Sequence, residues 1–322
     1  MKAAVYNSYG PPEVVQVKEI DKPSPMADEV LVKVKASTVN RTDCGFRSAE
    51  YFVSRFFSGL LRPKYPVLGS EFAGEVVATG ASVNKFKVGD RVFGFDDGKF
   101  GGHAQFLTIS ENAGIANTPD NIDDLTAAML TEVSHYALGN IRAAKVEAGQ
   151  DAMVYGATGA IGSAAVQLLK YFGARVTAVC DAPRLGLVKS LGVDRVIVYT
   201  WEDISSLKTR YDLIFDAVGK SSWGICKPLL KETGKYISTE LGKNLENVWK
   251  SVFYNFSKGK RLMFPIPTTK QEDIQFLGDL AAQGHFKPVF DRCYPLDQIV
   301  EAYRYVETGQ KTGNVVLRIP HD

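Results

Sequence analysis

Gly156, Gly159 and Gly162 stand three residues apart in Tyr155-Gly156-Ala157-Thr158-Gly159-Ala160-Ile161-Gly162. Glycines at this interval suit one kind of chemistry. They let the backbone approach a pyrophosphate that side chains would hold off. The helix that follows offers the phosphates its unsatisfied N–H groups and its positive dipole end. Gly156, Thr158, Gly159, Ala160, Ile161 and Gly162 are therefore the candidate ligands of a dinucleotide. Ala157 takes the place of the first glycine in the usual G-x-G-x-x-G. An acid about twenty residues past such a turn commonly holds the adenosine ribose, and Asp181 lies nineteen residues past Gly162. His135, in Ser134-His135-Tyr136, is the residue type that passes protons near neutral pH. A lone histidine opening a helix is more often structural.

The elements needed to position these residues are legible around them. Ala152–Tyr155 reads as a buried strand, Ser163–Tyr171 has helical periodicity, and Arg175–Cys180 is a second strand, giving one βαβ unit. Helices at Leu185–Leu191 and Trp223–Leu230 alternate with strands at Arg195–Tyr199, Leu213–Ala217, Lys235–Thr239 and Leu262–Ile266. That alternation specifies a doubly wound parallel sheet. Upstream the pattern is mainly β: Ala3–Tyr6, Val30–Val34, Phe72–Thr79, Arg91–Phe95 and Ala104–Ile109. Residues 36–62 are less regular, with a helix expected near Tyr51–Leu60. Asp123–Leu130 and Ser134–Ala144 read as helices. Gln271–Gln283 (helix), Val289–Pro295 (strand), Leu296–Val306 (helix) and Asn314–Ile319 (strand) close the chain. The expected division is 1–120 with 268–322 as one domain and 121–267 as the other.

Bulk properties narrow the class. The 322 residues are 45% hydrophobic and 23% charged, with a net charge of +2 and scattered basic residues. This argues against a dedicated nucleic-acid or membrane surface. There is no apolar run of eighteen residues and no secretory signal, so neither a transmembrane helix nor export is expected. Cys44, Cys180, Cys226 and Cys293 form no C-x-x-C pair and read as free thiols of a reducing cytoplasm.

The order of these motifs resembles the medium-chain dehydrogenase/reductase superfamily. The resemblance rests on Lys2-Ala3-Ala4-Val5, Glu29–Val34, Gly69-x-Glu71-Phe72-Ala73-Gly74, Val88-Gly89-Asp90-Arg91-Val92, the glycine turn, and Gly313-Asn314-Val315-Val316-Leu317. It implies a Rossmann domain inserted in a GroES-like β-rich catalytic domain, with a nicotinamide cofactor in the cleft between them. Asn40 and Ser70 match the positions of two zinc ligands in the superfamily's alcohol dehydrogenases, and neither is a normal zinc ligand. Residues 93–110 hold no cysteine for a structural zinc lobe. The resemblance is therefore to the zinc-independent, quinone-oxidoreductase-like branch, whose Val-Asn-x-x-Asp appears as Val39-Asn40-Arg41-Thr42-Asp43.

In that branch the resemblance turns Asn40 toward nicotinamide and substrate, against the plainer reading of a turn-capping asparagine. Tyr51 matches a tyrosine whose phenol can donate to a carbonyl gaining charge, or it is one packed aromatic among several. Asp43 orients the segment, and His103 packs. Val218, Thr239 and Asn314 match cofactor contacts. Arg184 and Tyr199 match a 2′-phosphate-binding pair, which favours NADP(H) over NAD(H), while Asp181 argues the other way. The implied activity is hydride transfer to a small apolar quinone or enone, by a homodimer paired through Leu262–Ile266. The competing class is a dinucleotide-binding protein with a structural or regulatory role.

Overall fold

The computed structural model describes residues 1–49, 55–254, 258–266, 268 and 270–321. The chain divides into two compact units, Met1–Glu132 with Thr269–Asp322, and Val133–Thr268.

The second unit is built on a six-stranded sheet. Its order is Arg195–Val198, Arg175–Cys180, Asp151–Tyr155, Tyr211–Asp216, Leu230–Ser238, Arg261–Met263. Every neighbouring pair is parallel. Counted along this unit the order is 3-2-1-4-5-6, which reverses between Asp151–Tyr155 and Tyr211–Asp216. Strands covered on both faces must be apolar throughout, and Ala152, Met153, Val154, Ile214 and Phe215 are all fully buried. Helix Ala160–Tyr171 lies against the two strands it connects. The close approach depends on Gly162, because a Cβ there would sit 2.1 Å from the Gly156 carbonyl oxygen. The edge strand is Arg261–Met263 and not Leu262–Ile266. Pro265 has no N–H to donate, so the ladder cannot run through it.

The first unit carries a mainly antiparallel sheet in the order Phe290–Pro295, Asn314–Arg318, Glu29–Val39, Glu71–Thr79, Arg91–Phe95, Gly114–Asn117, with Phe106–Ser110 also on Glu29–Val39. The C-terminal strand thus returns to this sheet, Val315 facing Val39 and Leu317 facing Ser37. Val30, Val32, Phe72, Val76, Val92, Ile115 and Leu317 form its core.

Residues 121–132, expected in the second domain, belong to this unit. Arg91 donates to the Ile122 carbonyl and to Asp124, and Asn121 donates to the Ala282 carbonyl. The helix here is capped by Asp123, which accepts the Thr126 N–H at 2.7 Å. Helix Arg41–Ser48 was not expected, because its sequence is too polar to show a stripe. Its signal is instead a capping box at Asn40 and Asp43. Helix Glu246–Tyr254 was also unexpected. Trp249, Val252 and Phe253 are exposed on it while Tyr254 packs against the core, so its apolar residues form no single buried stripe. Strands Gln16–Glu19 and Gly114–Asn117 are further additions.

Candidate functional site

In the second unit, the sequence candidates collect at the carboxyl ends of the parallel strands. Strand Asp151–Tyr155 runs into Gly156, held at φ +79°, where a Cβ would lie 2.5 Å from a Val218 methyl. Gly156 and Val218 therefore meet where the strand order reverses. Asp216 shapes the Val218 side of this crevice. It accepts the Val218 and Ser221 N–H groups at 3.1 and 2.9 Å and the Tyr236 hydroxyl at 3.3 Å. Burial nonetheless raises its carboxyl above the usual range. Helix Ala160–Tyr171 starts from Gly159 with no side chain capping it, so its first N–H groups meet no side chain of their own helix.

Next along the sheet, the Tyr199 N–H donates to the Cys180 carbonyl at 3.2 Å, which places Tyr199 beside Asp181. Arg184 pairs with Asp181 across one short turn, and the other Asp181 oxygen, Oδ1, is buried without a partner. At the far end, Thr239 lines a hollow with Tyr136, Asn140, Ser238, Phe264, Pro265 and Ile266. The Thr239 hydroxyl is buried and has no hydrogen-bond partner. Its neighbours in this hollow were missed in the sequence. Tyr136 and Asn140 lie one helical turn apart and share a face, and that spacing was the available signal. His135 is buried on an adjacent face and is not among the residues lining the hollow.

In the first unit, Asn40 caps helix Arg41–Ser48. Its Oδ1 accepts the Asp43 N–H at 2.8 Å, and Asp43 accepts the Asn40 N–H at 3.2 Å. The capping reading is thus part of the answer. The Asn40 amide has a second engagement, donating from Nδ2 to Ser70 Oγ at 3.1 Å. Asp43 also accepts the Gly69 N–H at 3.0 Å, so it orients both segments. Burial pushes its carboxyl up to about 7. Tyr51 lies outside the described residues. Asn314 donates from Nδ2 to the Val289 carbonyl at 3.0 Å.

Two further buried groups surround this corner. Glu71 Oε2 accepts from the Thr38 hydroxyl at 2.6 Å. Its Oε1 accepts the Thr131 and Glu132 N–H groups at 3.0 and 2.6 Å and lies 2.8 Å from the Thr131 hydroxyl. His103 Nε2 is 2.7 Å from the Thr38 carbonyl, which only accepts, so Nε2 carries the hydrogen. Nδ1 then accepts from the Tyr303 hydroxyl at 3.4 Å. Burial lowers His103 to about 4, which makes it a neutral packing group at physiological pH. Among the described residues, no group of three or more His, Cys, Asp and Glu is arranged to hold a metal ion.

Residues 26–120 match the alcohol dehydrogenase GroES-like domain family, and residues 191–317 match the zinc-binding dehydrogenase family. The chain is 30% identical to a chloroplastic quinone-oxidoreductase homolog of Spinacia oleracea, with 98% of each chain covered. It is 30% identical to the chloroplastic NADPH-dependent alkenal/one oxidoreductase of Arabidopsis thaliana, covering 98% of this chain and 79% of that one. The solved quinone oxidoreductase from Coxiella burnetii matches it with a TM-score of 0.88 at 26% identity, covering 99% of both. With ordered motifs, both sheets and full-length relatives in agreement, the chain belongs to the quinone-oxidoreductase-like branch of the medium-chain dehydrogenase/reductase superfamily.

Proposed function

We propose that this protein is a nicotinamide-dependent oxidoreductase that reduces a small apolar quinone or an activated enone without zinc, with NADPH as the preferred cofactor. The observation that carries the metal-free reading is the 3.1 Å bond between Asn40 and Ser70. An amide and a hydroxyl that satisfy each other stand where the zinc-holding members have ligands. Neither ionises to become one. The relatives named for quinone and alkenal/one reduction support the substrate class.

The second unit's residues fit a dinucleotide. Gly156 and Val218 leave the backbone close to the crevice. The N-terminus of helix Ala160–Tyr171 carries no side-chain cap. The buried Thr239 hydroxyl and Asp181 Oδ1 each lack a partner that a ligand would supply. Gly156, Thr158, Gly159, Ala160, Ile161 and Gly162 would hold the pyrophosphate. Asp181, Arg184 and Tyr199 would hold the adenosine end. Val218 and Thr239 complete the second unit's set, and Asn314, in the first unit, is the further cofactor contact that the resemblance implies. A bound reduced nicotinamide would supply hydride. The acceptor must be electron-poor, since no Lewis acid polarises it. Asn40, with Tyr51, would donate hydrogen bonds to the oxygen that gains charge. His135, buried one residue before Tyr136, is the further candidate proton donor. The Arg184 guanidinium would exchange Asp181 for the 2′-phosphate, a charge-assisted pair. The free thiols at Cys44, Cys180, Cys226 and Cys293 suit a reducing compartment, and we place the protein in the cytoplasm. A second copy would pair along strand Arg261–Met263, the last of the sheet order among the described residues, since an edge strand is a pairing hazard.

Four measurements test this reading. NADPH oxidation against quinones and enones should proceed in the wild type. Asn40→Ala should lower kcat by about tenfold to a hundredfold. The lost cap also costs about 1 kcal/mol, so a thermal melt must accompany it. No turnover with any acceptor would favour the regulatory class, and an unchanged kcat in a folded variant would place the donor elsewhere. Arg184→Ala should raise KM for NADPH about tenfold and leave KM for NADH nearly unchanged. Equal effects on both cofactors would mean that Arg184 does not read the phosphate. Sedimentation at micromolar concentration should give twice the monomer mass, and a monomer alone would contradict the dimer.

A further inference from the structure

Glu132 is the one acid of the first unit's polar corner to which neither the fold nor the proposed site assigns a task. It is buried at 3% exposure and opens helix Glu132–Ala144. Its N–H donates to Glu71 Oε1, and its carboxyl shares a hydrogen bond with the Thr42 hydroxyl, in which either group can donate. Its Oε2 is buried and meets no partner. Glu71 and Asp43 face it as like charges, and Lys311 is the opposite charge nearby. The Lys311 ammonium donates to the Gly313 carbonyl at 2.6 Å. His103, beside Asp43, is neutral at physiological pH. Three acids therefore share this region with one amine.

The hydrogen-bond pattern says which acid keeps a proton. Glu71 is ringed by donors, among them two N–H groups that can only donate, so it is the better home for a negative charge. Asp43 accepts the Asn40 and Gly69 N–H groups. Glu132 has one hydroxyl and one unmet oxygen. An unmet oxygen is far cheaper on a neutral acid than on a carboxylate. Burial, then repulsion from Glu71 and Asp43, holds Glu132 well above the usual carboxylate range. Thr42 is half-buried and sits between Asn40 and Asp43 in the capping segment. Its hydroxyl thus links the buried acid to the surface beside Asn40.

We propose that Glu132 is held as a neutral carboxylic acid and supplies, through the Thr42 hydroxyl, the proton that completes reduction of the acceptor. The inference rests on the quinone or enone reading above. When the acceptor takes up hydride, an electron pair moves from its π bond onto its oxygen. The Thr42 O–H proton passes to that oxygen as the Glu132 proton passes to the Thr42 oxygen. Glu132 is left a carboxylate, and solvent restores its proton.

The test uses the full chain in three forms. Infrared difference spectra at neutral pH, wild type minus Glu132→Gln, should show the carbonyl stretch of one protonated carboxylic acid beyond the contribution of Asp43, and wild type minus Thr42→Val should not. With NADPH and a quinone or enone acceptor, wild-type kcat should fall at high pH as Glu132 loses its proton. Glu132→Gln should lower kcat about a hundredfold and abolish that high-pH limb, and Thr42→Val should lower kcat with the infrared band intact. Cofactor affinity, read by nicotinamide fluorescence, should stay unchanged in both. An infrared spectrum unaltered by Glu132→Gln would overturn the inference, and so would an active wild type whose variants keep its kcat and limb. A wild type that turns over no acceptor would overturn both the inference and the reading beneath it.

Discussion

A carboxylate cut off from water must find its donors within the chain, and Glu71 finds them on two segments besides its own. Thr38 comes from strand Glu29–Val39, Thr131 and Glu132 from the segment leaving the unit, and Glu71 itself opens strand Glu71–Thr79. The Glu71 carbonyl takes the Ser37 hydroxyl as well, at 2.6 Å. Leaving a buried charge without such partners costs several kcal/mol, so these segments are not free to drift apart. Ser70 is the next residue along, and its bond to Asn40 inherits that rigidity. Asp43 fastens the other side through Gly69. On the proposed metal-free reading, hydrogen bonds to a buried acid would do the positioning that coordination does elsewhere.

The second unit obeys a different constraint. A parallel sheet buried on both faces exposes its chemistry only at its ends, and the order 3-2-1-4-5-6 opens a crevice where neighbouring connections leave in opposite directions. Gly156 and Gly162 let the turn and helix close onto that crevice, and Asp216 fixes the loop across from them. The pairing of Arg184 with Asp181 joins two signals that pointed to different cofactors when read separately. In the structure they are one ion pair, and under the proposed reading the choice between cofactors would be a competition for one guanidinium.

Most of the architecture was legible in the sequence because its strands and helices carry their burial as periodicity. Arg91–Phe95 and Arg175–Cys180 have the bounds expected of them. What escaped was structure held by polar groups. Helix Arg41–Ser48 is marked only by its capping box, and the adherence of residues 121–132 to the first unit depends on Arg91, Asn121 and Glu71. The candidate site divides the same way. The glycine turn announces itself through local spacing. Thr239 was placed by matching strand ends, while the hollow around it comes from a helix face and a loop far apart in sequence. Glu132 carries no local motif, and its environment exists only once Glu71, Asp43 and Thr42 have been brought together.

If Asn40 and Ser70 replace metal coordination by a hydrogen bond, turnover must not depend on a metal. Metal analysis of an NADPH-oxidising preparation, with kcat measured before and after exhaustive chelation, addresses this most directly. The expected result is far less than one zinc per chain and an unchanged kcat. One zinc per chain, with activity lost on chelation and restored by zinc, would contradict it.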